Sequence, residues 1–305
     1  MRNRIINGAC DIAQRGSLVA SNTVDGYGGP DRFRAINGAA GGQFTQSAST
    51  LTFGGLVKNT VRQTVNTGTT AFTTTNNWNG LVQIVEGFNS YDLVGKPVAV
   101  SFIFNTNITG TYSVALRSGD VGQSYITSFS ATANTPLKVS FPIAAIPAAA
   151  VVPRSNATGL ILNIGYQNQG VYQTASLNSW QASNLTTATG ATIWAATAGN
   201  FIELTELQLE EGNVATPFER RSYGQELALC QRYYEATPIT PLAQMIQYTG
   251  FAFKVTKRAA PVLSPATFAG GGVIGAGGIP TWGFRIDAVG SGTAADYTIA
   301  ANAEL

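Results

Sequence analysis

The chain has 305 residues, of which 44% are hydrophobic and only 11% charged, with 34 glycines, no histidine and a net charge of +2. That length is ample for a core without staples, and the near-neutral balance, with no basic cluster larger than a pair such as Arg220–Arg221, leaves no electrostatic footprint for nucleic acid. The lack of histidine removes Ser-His-Asp and Cys-His catalysis and the common zinc ligand.

The apolar run at 143–152 is broken by Pro147 and is too short to span a bilayer. The N-terminus, MRNRIINGACDIAQRG, lacks the apolar region of a signal peptide, so export is expected through lysis or within a particle. Cys10 and Cys230 stand far apart and read as buried thiols. A surface rich in Thr and Asn but poor in charge suits a protein held inside an assembly or facing sugars.

Along the chain, period-2 alternation predicts strands at 81–86, 98–104, 112–117, 137–143, 160–166 and 201–210, separated by turn clusters such as ITGT, SGD and NQG. Segment 88–97 reads as a connection with a short turn. Strands spaced this way without helical patterns between them predict an antiparallel sandwich.

In the last of these strands Leu207 and Leu209 alternate with Glu206, Gln208 and Glu210, which are expected to face solvent or a partner. Ile202 and Leu204 have the opposite parity, so a bulge is predicted near Thr205. After the turn at Gly212 and Asn213, Thr216 and Pro217 keep the chain extended, and Ser222 with Gln225 forms a capping box. Tyr223, Leu227, Cys230 and Tyr234 then fall at helical spacing, predicting one amphipathic helix whose apolar positions are candidates for a subunit interface.

Beyond it, Phe251, Phe253 and Val255, then Trp282, Phe284 and Ile286, then Tyr297 and Ile299 predict a small second β unit. The glycine-rich stretch 269–280 reads as a long hairpin loop. The expected division is 1–221 sandwich, 222–235 linking helix and 236–305 small β domain.

Paired carboxylates able to cleave a glycan would have to come from Glu203, Glu206, Glu210 and Glu211, and alternation with core leucines argues instead for a solvated strand face. No catalytic residue is assigned and the protein is read as a non-enzyme. Aromatic residues in polar turn settings are more suggestive, because sugar rings stack on aromatic planes while neighbouring amides and hydroxyls bind their hydroxyls. Trp78 with Asn79, Tyr172 and Trp180 are the candidate glycan contacts, and Trp194 a weaker one, each competing with packing beneath a loop. No cofactor is expected. A structural calcium ion could use oxygens of Asn7, Asp11 and Glu203, although no calcium-loop spacing supports it. Asp31 and Arg32 read as a turn residue and a salt-bridging Arg.

The segments INGACDIAQRGS at 6–17, PDRFR at 30–34, VQIVEG at 82–87, LVGKPVAVSFIF at 93–104 and ELTELQLEEGNVATPFERRSYGQELALCQRYYE at 203–235 form a set. It resembles a family of bacteriophage tail-fibre and virion-surface proteins with a carbohydrate-binding-module-like jelly roll. The family pattern runs N-G-x-F-x-x-x-Q-R-G, A-D-R-W, L-x-G-K-x-V-T-L-S-F, Q-L-E-x-G-x-x-A-T-P-F-E and E-L-x-x-C-Q-R-Y-Y, and the match covers about residues 1–235. Cys10 stands where an aromatic is frequent and Phe33 where Trp is, both still apolar.

The resemblance implies an all-β jelly-roll sandwich, one helix and a small C-terminal β domain in a structural virion protein. Its expected role is that of a tail-fibre or receptor-binding subunit that attaches to bacterial surface polysaccharide without cleaving it. A homotrimer held by other virion proteins, made in the host cytoplasm and carried on the virion, is the expected setting. The chain opens directly in the jelly-roll pattern, which suits either a separately encoded tip or a capsid decoration protein with a shell-stabilising role. The final AANAEL reads as a natural terminus.

Overall fold

A computed structural model describes residues 2–21, 24–38, 42–70, 72, 78–239, 249–264, 273–274, 280–287 and 297–305. The chain is all-β with one α-helix and divides into two units, Met1–Arg220 together with Leu305, and Arg221–Glu304.

In the first unit the strands are β1 (Leu18–Ser21), β2 (Gly26–Tyr27), β3 (Phe33–Asn37), β4 (Gln43–Phe53), β5 (Leu56–Thr67), β6 (Trp78–Glu86) and β7 (Val98–Thr106). They continue with β8 (Gly110–Ser118), β9 (Ser124–Ala131), β10 (Leu137–Ile143), β11 (Thr158–Asn168), β12 (Gln173–Thr174), β13 (Trp180–Gln181), β14 (Thr187–Ala188) and β15 (Phe201–Glu211). One sheet has the order β1-β4-β5-β15-β7-β10 and the other β13-β9-β8-β11-β6-β3-β2, and the pairings in both are antiparallel. The non-sequential neighbours in both sheets are the crossovers of a jelly roll.

Alternation makes the sandwich. Val100, Phe102 and Phe104 of β7, with Val61 and Val65 of β5, meet Leu81 and Val85 of β6, Tyr112, Val114 and Leu116 of β8, and Leu160, Leu162 and Ile164 of β11 in one core. Phe104 packs edge-on against Phe129 at 5.0 Å between ring centres, and Phe102 does so at 5.6 Å. Such edge-to-face pairs add to the burial term. Segment 88–97 forms two 3₁₀ turns, Gly87–Asn89 and Tyr91–Leu93, the second anchored by buried Leu93.

β15 carries the bulge that its phase slip predicts, with a register shift between Thr205 and Gln208 and Glu206 at φ 51°. The expectation that Gln208 and its neighbours face solvent is corrected: Gln208 and Glu210 are both buried. The turn after β15 folds back over that face. Glu210 accepts from Thr216 N and Thr216 Oγ1, each at 2.7 Å, while Gln208 donates to Glu210 Oε1 at 2.7 Å and accepts from Glu219 N at 2.8 Å. Of Glu206, Gln208 and Glu210, only Glu206 stays partly exposed, paired with Lys58 at 2.7 Å and Arg220 at 2.8 Å.

The second unit opens with α1 (Tyr223–Gln231), whose cap is Ser222 accepting from Gln225 N at 3.4 Å. The helix is shorter than its spacing predicts. Arg232 closes it, and Tyr234 begins β16 (Tyr234–Ile239) instead of extending the helical face. The reason is that Tyr233 and Glu235, two apart, are both buried, a strand period that overrides the helical one.

Further strands are β17 (Thr249–Ala252), β18 (Val262–Ser264), β19 (Val273–Ile274), β20 (Gly283–Asp287) and β21 (Tyr297–Asn302), in sheets β16-β21-β18 and β17-β20-β19. Phe251 stacks on Phe284 at 5.2 Å. Glu235 and Lys257 form a fully buried ion pair at 2.6 Å, and Lys257 also donates to the Gln231 carbonyl. Most of the expected loop at 269–280 lies outside the described residues.

Candidate functional site

The second sheet has an outward face opposite the shared core, and its most informative feature is the end of β11. Between Ile164 and Gln167 the register with β6 shifts, with Gly165 at φ 59°. That left-handed turn is open to glycine at little strain. Its carbonyl accepts from Nε1 of Trp194 at 2.8 Å, which ties the bulge to the core. The extra residue turns Tyr166 outward into a small cluster with Val82 and Ile84. Gly80, on the neighbouring strand, leaves room for it: a β-carbon there would lie 2.7 Å from the Tyr166 Cα.

Beside Tyr166 lies an open hollow of about 180 Å³. Its aromatic walls are Trp78 from the start of β6, Tyr166 from β11 and Tyr172 from the 3₁₀ turn Gly170–Tyr172. Asn168, Asn184 and Thr186 supply amides and a hydroxyl, and Arg117 from β8 supplies a guanidinium. Among the described residues the lining contains no carboxylate.

The polar groups are only partly spent. Arg117 Nε donates to Asn163 Oδ1 at 3.1 Å and Nη1 donates to Asn184 Oδ1 at 2.7 Å. Asn168 Oδ1 is buried without a hydrogen-bond partner. Burial pushes the Arg117 guanidinium below its ordinary range and the Tyr166 hydroxyl well above its own, the latter partly offset by the Arg117 charge.

The structure brings two of the sequence candidates, Trp78 and Tyr172, to one hollow. Asn79 is not in it: opposite in parity to Trp78, it is buried and pairs across the ladder with Gln167. Trp180 is elsewhere too, packed against the main core at the sheet edge, edge-on to Tyr125 at 5.7 Å, with its indole N–H on the Ala144 carbonyl at 2.8 Å. Trp194 is fully buried.

Arg117, Tyr166, Asn168, Asn184 and Thr186 were not legible as a group. Arg117 closes a run whose outward positions, Ser113 and Ala115, are small, and that contrast is the one signal that marks it.

The oxygens considered for calcium are engaged with protein groups. Asn7 Oδ1 accepts from Ile12 N, Asp11 accepts from Asn59, and Glu203 accepts from Asn105 and Thr60. Among the described residues no three His, Cys, Asp or Glu side chains converge as a metal set. Asp31 is buried, accepting from Gln14 N and Nε2, and Arg32 donates to the Ile84 carbonyl at 2.8 Å. Of the interface candidates, Tyr223 is exposed, Leu227 and Tyr234 are half-buried, and Cys230 is fully buried as a free thiol.

No family model and no curated protein sequence matches the chain. Among solved structures it is similar to an arabinose-bound MgGH51 α-L-arabinofuranosidase (11% identity, TM-score 0.37), covering 69% of this chain and 26% of that one. It is also similar to the enzymatically active domain of bacteriophage CBA120 tailspike protein 4 (9% identity, TM-score 0.35), covering 69% and 21%, so the chain spans about a quarter or less of both. A CBM4 structure matches with 12% identity and TM-score 0.37 over 68% of this chain and 99% of its own. Likenesses this loose do not argue a shared site.

Proposed function

We propose that this protein is a glycan-binding structural protein of a bacteriophage particle, a tail-fibre or receptor-binding subunit that attaches to bacterial surface polysaccharide without cleaving it. The observation that carries the binding reading is the hollow itself. Three aromatic side chains surround amides and a hydroxyl on the outward face of a rigid sheet, the combination that stacks a sugar ring and bonds its rim. With no carboxylate among the described residues of the lining, nothing there supplies the acid and base that glycoside hydrolysis uses. The setting on a virion rests on the sequence resemblance over residues 1–235. A homotrimer would multiply a shallow site, since linked sites convert later contacts into intramolecular ones.

The test is binding of the full chain to intact bacterial cells and to their extracted surface polysaccharide, with the polysaccharide's size followed alongside. Saturable binding that Trp78→Ala or Tyr172→Ala weakens about tenfold or more, with the polymer left intact, is expected. Shortening of the polymer would refute the non-cleaving role. Binding indifferent to both variants would refute the hollow as the site.

A further inference from the structure

Arg117 is the feature of the hollow that neutral-sugar binding does not use. Arg117 is only 8% exposed, and among the described residues no carboxylate pairs with it. Its partners are two neutral amide oxygens, Asn163 Oδ1 and Asn184 Oδ1, which hold the guanidinium in place and leave its charge standing.

The other arginine near this face is different. Arg34 is paired with Asp25 at 3.0 Å and is already neutralised. A buried charge without a counter-ion is costly unless an ion from outside completes it. A planar guanidinium fixed by flanking amides presents its remaining N–H groups to an oxyanion in the geometry that carboxylates and acid esters match.

We propose that the hollow takes an acidic sugar residue, with its anionic group on Arg117 and its ring against Trp78 and Tyr172. The inference rests on the glycan reading above and narrows it to anionic polysaccharides. Asn168 and Thr186 also line the hollow and supply an amide and a hydroxyl for the rim of the ring.

The experiment titrates the full chain with polygalacturonate, hyaluronan and polysialic acid, with carboxyl-reduced forms of each, and with dextran and dextran sulfate. An acidic member is expected to bind roughly 10- to 100-fold more tightly than its carboxyl-reduced form, the size of a charge-assisted hydrogen bond made or lost. Arg117→Gln should remove the preference while Trp78→Ala weakens both forms. Because the comparison of native with reduced polymer uses the unaltered protein, it stands even if Arg117→Gln fails to fold.

Binding of dextran sulfate over dextran, with no uronate preference, would support the anion subsite and identify an acid ester as its source. Equal binding of acidic and neutral polymers, weakened by Trp78→Ala, would overturn the charge inference and leave the glycan reading standing. Binding of neither class would overturn both.

Discussion

Trp194 connects the core of the first unit to the hollow, and replacing it separates two contributions. The side chain is fully buried, sits edge-on to Phe44 at 6.0 Å, and donates its indole N–H to the Gly165 carbonyl at 2.8 Å. Trp194→Ala opens a cavity and orphans that carbonyl, for an expected loss of about 3–5 kcal/mol. Trp194→Phe keeps an aromatic ring but not the donor, so about 1–3 kcal/mol should be lost from the unpaired carbonyl alone, and a little more from the smaller ring. Both values are read as the shift in urea midpoint multiplied by the common slope. The signal is Trp78 and Trp180 fluorescence on a Trp282→Phe background, since both reporters belong to the first unit. Gly165 immediately precedes Tyr166, so Trp194→Phe should also weaken ligand binding at the hollow without touching its lining. A Trp194→Phe variant within about 0.5 kcal/mol of the parent, with unchanged binding, would refute the idea that this hydrogen bond fixes the bulge.

Three further outcomes are expected. Trp180→Ala should lower the stability of the first unit by about 1–3 kcal/mol, because it packs partly buried against the core, yet leave polysaccharide affinity unchanged, as titration of the folded variant would show. In the second unit, Glu235→Gln leaves the Lys257 ammonium buried without its partner and should destabilise it by about 3–5 kcal/mol in denaturant unfolding, with Glu235→Gln/Lys257→Met recovering much of that. The Arg4 fork, at 2.8 and 2.7 Å, holds the Asp92 carboxyl below its ordinary range, so its contribution is present above about pH 4 and is lost as pH falls through the lowered value. Asp92→Asn should therefore destabilise by about 0.5–1 kcal/mol near neutrality, since the group is more than a third exposed, and the gap should close in acid.

The sandwich was legible where one strand face is apolar and the other is not, as in 98–104 and 137–143. The hairpin β4–β5 was not, although it has strands of 11 and 12 residues, because its inward positions include Gln46 and Gln63. Those side chains satisfy one another and nearby carbonyls: Gln63 Nε2 donates to Gln46 Oε1 at 2.9 Å, and Gln46 Nε2 donates to the Phe33 carbonyl at 2.8 Å. Hydropathy alternation does not register a buried face built from amides. The paired glycines Gly54 and Gly55, both at positive φ, were the readable hairpin signal. The helix end failed for a related reason, because spacing alone does not distinguish Tyr234 as a fourth helical position from the start of a strand.

The residues that carry the family resemblance are the ones the fold uses to hold itself. Gln208, Glu210, Thr216 and Glu219 lock the turn after β15 onto the strand, Asn7 ties the N-terminal segment to Ile12 and Asp31, and Ser222 caps the helix. None of them lines the hollow. The hollow is instead assembled from the ends of β6, β8 and β11 and the loop residues 172–186, positions that a jelly roll can vary without disturbing its sheets. On the proposal above, Arg117 is the group that would set the hollow's preference for an anionic sugar.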